Sequence, residues 1–192
     1  MFKTREEWLT QAVEEVRPLF DLAGKPLPKA IRIGCGNHSN AKRSKLLGET
    51  FLSTASADKS VEIFISPEIA KPLAVFEILI HELCHATTNS GDTHGKDFEH
   101  IAREMHLIPI GTGRQPYKYT NQSSDFESAY EDIIKSLGAY PHAELVVDRS
   151  TKKQSTRLIK ATCPTCNYPV YLTRVWASKG LPNCYCGDTF SI

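Results

Sequence analysis

No stretch of this 192-residue chain is apolar for long enough to span a bilayer. The longest nearly apolar run, Ile69 to Ile80, contains Lys71 and Glu77 and falls short of the roughly 20 residues that a transmembrane helix needs. The start, Met1-Phe2-Lys3-Thr4-Arg5-Glu6-Glu7, has no apolar core of the kind a secretory signal uses. The expected location is therefore cytoplasmic, with no membrane partner. There is no internal repeat. Neither sign of charge dominates, since 23 Lys/Arg against 22 Asp/Glu leave +1. Hydrophobic residues make up 41% and charged residues 23%, ordinary globular values that exclude a mainly disordered or fibrous chain. The length suits one globular domain, or one plus a small appendage.

Cysteine is sparse except in one place. Cys163, Cys166, Cys184 and Cys186 crowd into the last 30 residues, whereas Cys35 and Cys84 stand alone. In a reducing compartment such a cluster points to metal rather than disulfides. The cluster also sits where the charge is uneven. From Arg149 to Ile192 there are seven Lys/Arg and one acid, a net of +6, which leaves −5 for the rest. A basic tail on a mildly acidic body fits a polyanionic partner, and Lys42, Arg43 and Lys45 add a second basic point.

The hydrophobic pattern divides the body into elements. Thr4 to about Leu22 reads as an amphipathic helix, with Thr4 and Glu7 at capping-box spacing and Pro18 bending or shortening its end. Three strands are expected at Ala30–Gly34, Leu46–Ser53 and Ser60–Ser66, forming a small antiparallel sheet. Lys71 to Thr88 is the strongest helix, apolar on most sides. Ser90-Gly91-Asp92 ends it, and a second helix follows from about Gly95 to Met105. Ile108 to Ser124, with Pro109, Gly111, Gly113 and Pro116, reads as loop. A shorter helix covers about Asp125 to Leu137. The polar stretch Asp148 to Ser155 separates a first domain, 1–147, from a second, about 156–192.

The long helix contains His81-Glu82-Leu83-Cys84-His85, which fits H-E-x-x-H. Four residues advance a helix by about 6 Å and about 400°, so the two imidazoles share one face and can reach one zinc ion. Glu82, turned about 100° from His81, lies near the metal's open side. Neutral imidazole ligands leave zinc enough charge to make a bound water acidic. A carboxylate beside it can take the proton and pass it to the leaving amine. Without a metal, a helix this apolar would bury three polar side chains at a cost. Cys84, within the motif, reads as a core thiol.

A catalytic zinc needs a third protein ligand and an open position. His94 is the leading candidate, because a turn at Ser90-Gly91-Asp92 folds it back over the first helix and Gly95 permits close approach. His100 and His106 are rivals on the second helix, and Glu99 or Glu104 would give a two-His, one-Glu site. Tyr117 or Tyr119 could donate to the oxyanion. A strand edge at Leu46–Ser53 or Ser60–Ser66 could bind a peptide as an added strand.

In the tail, Cys163-Pro164-Thr165-Cys166 and Cys184-Tyr185-Cys186-Gly187 resemble the two knuckles of a zinc ribbon. Four thiolates make a closed, structural site. The second knuckle is one residue shorter than usual, which leaves open whether Cys184 and Cys186 both bind. Val170-Tyr171-Leu172 and Phe190-Ser191-Ile192 are the candidate strands. Tyr168, Tyr171, Trp176 and Tyr185 among the basic residues suit stacking on exposed nucleobases, or else they form the ribbon's core.

The motifs His81-Glu82-Leu83-Cys84-His85-Ala86 and His94-Gly95-Lys96-Asp97-Phe98, with Met105, resemble the SprT family of zinc metalloproteases, which includes the Spartan proteases. The resemblance extends more loosely over about residues 3–140, and many members also end in a zinc ribbon. It implies an α+β, zincin-like metallopeptidase domain with His81, His85 and His94 as zinc ligands and Glu82 as catalytic acid/base. It also implies cleavage of DNA-associated or DNA-crosslinked proteins and activation by DNA, a role in DNA repair. The expected cofactors are two zinc ions, one catalytic and one structural on Cys163, Cys166, Cys184 and Cys186. The expected partners are a protein substrate and DNA, with single strands preferred. The alternative is a nucleic-acid-binding zinc protein whose H-E-x-x-H site is silent or structural.

Overall fold

The computed structural model describes residues 2–36, 46–88, 94–112, 115–146 and 158–192. The expected turn at Ser90–Asp92, the basic point at Lys42, Arg43 and Lys45 and the hinge at Asp148–Ser155 lie outside these residues. The chain forms two compact units, residues 1–149 and 150–192. Among the described residues the architecture is mixed α and β, with small sheets and five helices.

The first unit opens with α1 (Arg5–Leu22). Thr4 caps it, its hydroxyl accepting from the Glu7 N–H while the Glu7 carboxylate accepts from the Thr4 N–H. Pro18 neither ends nor shortens this helix, which runs one further turn to Leu22. Trp8, Leu9, Ala12, Val13, Val16 and Phe20 recur at helical period and are buried. The Trp8 indole N–H reaches the Gly138 carbonyl (3.2 Å), so its polar edge is satisfied inside the core.

Strands β1 (Ile31–Cys35), β2 (Gly48–Phe51) and β3 (Val61–Ile65) form one sheet in the order β1-β3-β2. The expected antiparallel sheet is corrected here. β2 pairs antiparallel with β3, but β1 pairs parallel with it. The physical reason is burial. β3 carries Val61, Ile63 and Ile65, the only strand of the three with fully buried side chains, and takes the central place. With β2 folded back on one side of β3, β1 fills the other side in β3's own direction. Hydrophobic alternation reports which face is buried, not which neighbour lies alongside.

The motif helix is α2 (Pro72–Thr87), with Pro72 at its first turn, where a missing N–H is harmless. It packs on β2 and β3 and against α3 (Lys96–Glu104). Phe76, Leu79, Ile80 and Leu83 are wholly buried, each contributing about 1.5–3 kcal/mol of transfer free energy.

The segment expected to be loop is instead a hairpin, β4 (Leu107–Thr112) and β5 (Gln115–Gln122). Pro109 and Gly111 disguise it. In a two-stranded ribbon both strands are edges, so a proline without an N–H is tolerated, and the register shifts between Ile110 and Thr112. Leu107 and Pro109 face inward, opposite Gln122 and Thr120. α4 (Phe126–Leu137) completes the unit and ends at Gly138, whose φ of 70° suits glycine.

The second unit is a hairpin of β6 (Ile159–Thr162) and β7 (Pro169–Leu172), followed by the short α5 (Arg174–Ala177). Val170–Leu172 is thus a strand as expected. The Phe190–Ile192 segment makes one bridge, Ser191 to Thr162, rather than a strand, and β6 is an addition to the sequence reading. The core is small: Ala161, Cys163, Cys184 and Phe190, with Val170, Leu172 and Leu181 against it.

Candidate metal centre

Two side-chain clusters gather metal-binding atoms. In the first, one ligand atom from each of His81, His85 and His94 lies within 4.8 Å of the others. α2 supplies the first two from adjacent turns, and His94 approaches from just before α3. Ring centroids lie 5.0 Å apart for His81–His85, 5.8 Å for His81–His94 and 4.6 Å for His85–His94. Phe98, one turn into α3 and wholly buried, stacks on His85 at 4.4 Å and meets His81 and His94 edge-on at 5.1 and 5.0 Å.

This apolar wall sets the charge state. Burial, and secondarily the neighbouring His94, lowers the His81 pKa to about 4. Burial, with His81 and His94 behind it, lowers that of His85 to about 3. Both rings are neutral at physiological pH, the form in which imidazole binds metal.

The rivals for third ligand stand elsewhere. His100 is exposed near Glu104. His106, at φ 57°, is bonded through Nδ1 to Asp125 (2.8 Å). Glu99 holds Arg103 at 3.0 Å and accepts from Tyr117. That contact engages the Tyr117 hydroxyl, and Tyr119 is 53% exposed on β5. Cys84 is fully buried, its thiol pushed well above the ordinary range by desolvation.

Glu82 is 5% exposed, and burial raises its carboxyl to about 7 against the lowering influence of a hydrogen bond from Thr50. The Thr50 hydroxyl donates to Oε2 at 2.7 Å and lies 3.0 Å from the Glu82 carbonyl oxygen. Gly48, two residues earlier on β2, leaves the space the carboxyl group occupies. A Cβ there would lie 2.4 Å from Oε1, 2.7 Å from Cγ and 2.8 Å from Cδ. Neither residue stood out in the sequence. The available signal was a glycine inside a strand pattern, which marks close approach of another group. Gly48→Ala should push the Glu82 carboxyl aside by about 1 Å, the shift that restores ordinary contact distance, and so disturb its hydrogen bond to Thr50. A crystal structure of the variant with the carboxyl unmoved would show that the Gly48 notch is not needed.

The metal-free centre has a predictable acid response. The two imidazoles have folded pKa values below the ordinary 6.5, so they stabilise the fold above pH 6.5 and lose that effect as pH falls toward 4 and 3. Glu82 acts oppositely: its raised value stabilises below pH 4.5, and the effect is lost as pH rises through about 7. Between pH 4.5 and 6.5 two imidazoles outweigh one carboxyl by about one proton. The melting temperature of the metal-free first unit, followed on the buried Trp8 indole, should therefore rise over that range. His85→Gln should flatten the rise; parallel curves for the two proteins would contradict it.

The second cluster is Cys163, Cys166, Cys184 and Cys186, again within 4.8 Å of one another. Sγ···Sγ distances are 3.5 Å for Cys163–Cys186, 3.4 Å for Cys166–Cys184 and 3.8 Å for Cys166–Cys186. Four sulfurs at the zinc–thiolate length in a tetrahedron are about 3.8 Å apart, so the cluster is already near that size. The short second knuckle brings both its cysteines in. Gly187, at φ 99°, closes the turn with its N–H on the Cys184 carbonyl (2.9 Å). In the first knuckle Asn167 adopts φ 58°, a conformation asparagine tolerates. The backbone N–H of Cys166 is the main influence holding the Cys163 thiol down at about 7. Cys186, despite the lowering backbone N–H of Asp188, is pushed up to about 12 by its hydrogen bonds with Cys163 and Cys184. Without a metal the thiolate is therefore favoured at Cys163 and disfavoured at Cys186. Tyr168, Tyr171, Trp176 and Tyr185 are 59 to 95% exposed, so these rings are not the core.

Comparison with protein-family models, curated proteins and solved structures gives no match. The donor sets are therefore the whole basis for a functional reading. They suit the groups expected: three neutral imidazoles with a buried carboxyl alongside, and four sulfurs in a closed set.

Proposed function

We propose that the chain is a SprT-like zinc metallopeptidase with a zincin-like first unit and a zinc-ribbon second unit. The observation that carries this reading is the convergence of His81, His85 and His94 beside a buried Glu82. Zinc bound by the three imidazoles would polarise a peptide carbonyl and acidify a water molecule. Glu82 receives the proton of the attacking water and delivers it to the departing amine. Thr50 aims that carboxyl, and Phe98 keeps the ligand rings dry and neutral.

Of the two strand edges considered, β3 is central and already paired on both sides, which leaves β2. β2 lies against α2 and touches Glu82 through Thr50. A peptide added along its outer edge would run beside the catalytic carboxyl.

The ribbon supports a nucleic-acid partner. Its exposed aromatic rings, with Lys179 lying 4.8 Å over the Trp176 ring, combine stacking surface with positive charge. A polypeptide presented on DNA is accordingly the proposed substrate, with single-stranded DNA as the preferred partner. The zinc-loaded full chain, incubated with a loosely folded protein, should cleave it, and faster when single-stranded DNA is added. DNA binding without cleavage under every condition would favour the alternative, a nucleic-acid-binding protein with a silent metal site.

A further inference from the structure

The hydrogen-bonding partner of the first motif histidine comes from the hairpin that the sequence disguised as loop. His81 Nδ1 lies 2.9 Å from the Thr120 hydroxyl oxygen on β5. The contact is part of a register between two elements. Gln122, two residues along β5, donates from its side-chain amide to Glu77 Oε2 at 2.8 Å. Residues two apart on a strand share a face and are about 6.7 Å apart. Residues four apart on a helix share a face and are about 6 Å apart. Thr120 and Gln122 therefore meet His81 and Glu77 as matched pairs, and the strand fixes both the rotation and the height of α2 at the metal centre.

We infer that Thr120 is a positioning residue that selects Nε2 of His81 as the metal-binding nitrogen and fixes the ring that presents it. The inference rests on the three-imidazole site proposed above. A neutral imidazole has one proton and one lone pair. The Thr120 hydroxyl can donate or accept, but with Nδ1 engaged by it the nitrogen left for a metal is Nε2. A metal there takes the lone pair, so the proton then sits on Nδ1 and is donated to the Thr120 oxygen. Phe98 packs edge-on against the His81 ring, so apolar contact and hydrogen bond together hold it in one orientation. Hydrogen bonds of this kind, to the far nitrogen of a ligand histidine, typically change metal affinity by about 10–100-fold.

The test uses the full chain, with zinc itself as the probe and a competing chelator as the reference. Thr120→Val keeps the shape and suits a strand, but its side chain cannot accept a hydrogen bond. Its three-imidazole site should bind zinc about 10–100-fold more weakly, while the four-cysteine site is unchanged. Thr120→Ser restores the oxygen and should recover most of the affinity. Nitrogen-15 NMR of the loaded wild type should show His81 protonated on Nδ1. Equal affinity in Thr120→Val and wild type, equal loss in the Val and Ser variants, or a proton on Nε2 would each overturn the inference. If the wild type holds zinc only at its cysteines, the metal-site reading itself has failed, which is a different result from a wild-type site indifferent to Thr120. Should Thr120→Val fail to fold, the Ser variant and the NMR assignment still decide.

Discussion

Replacing Glu82 by Gln should slow hydrolysis of a loosely folded protein by about 10²–10⁴-fold while both metal sites stay filled. The amide keeps the shape of the carboxyl and an oxygen for the Thr50 hydroxyl, so the notch at Gly48 stays occupied. The fold should not suffer. A buried carboxyl raised to about 7 penalises the folded state once it ionises, and the amide removes that penalty. The metal-free variant should therefore match or exceed wild-type stability at pH 8. What it loses is the ability to take a proton from water and return it to the amine. A variant that cleaves at the wild-type rate with full metal content would remove Glu82 from the chemistry.

Stripping the metal from the four cysteines should unfold the second unit. Its buried residues are Ala161, Cys163, Cys184 and Phe190, with three partly buried neighbours, far too little apolar surface to order 35 described residues. Structural zinc typically supplies about 10–16 kcal/mol, comparable to the whole stability of an ordinary domain, about 5–15 kcal/mol. A strong chelator, or Cys163→Ser, Cys184→Ser or Cys186→Ser, should collapse the amide dispersion of Ala161 and Phe190. The Trp8 indole signal of the first unit should persist, because α1, α2 and β3 supply a core without metal. The proposed DNA binding should fall with the second unit. Retention of a dispersed ribbon spectrum in Cys186→Ser would mean that the shortened knuckle contributes only Cys184.

The same contrast shows what the sequence could and could not tell. Covalent spacing along one helix fixes His81, Glu82 and His85 on adjacent faces, so that part of the centre is readable from five letters. His94 was reachable because glycine and Phe98 follow it at the start of a second helix. The four cysteines were visible as a cluster in sequence, but only the turn at Gly187 shows how Cys184 and Cys186 can both reach the other two sulfurs. Gly48, Thr50 and Thr120 were out of reach. Each acts across a strand–helix contact, and such contacts depend on sheet order and register, which hydrophobic alternation does not encode. β4 and β5 were hidden for a related reason: Pro109 and Gly111 read as turn residues in isolation, and only the pairing of Leu107, Ile108, Pro109 and Ile110 with Gln122, Asn121, Thr120 and Tyr119 makes a hairpin of the segment. The parallel β1–β3 pair follows from the long-range choice of β3 as the central strand.

The most direct test of the central claim is a metal count on the purified full chain and on His94→Ala. The account predicts two zinc ions per wild-type chain and one in the variant, the remaining ion held by the cysteines and proteolysis gone. A variant that keeps both ions would contradict it, because the three imidazoles would then not share a metal.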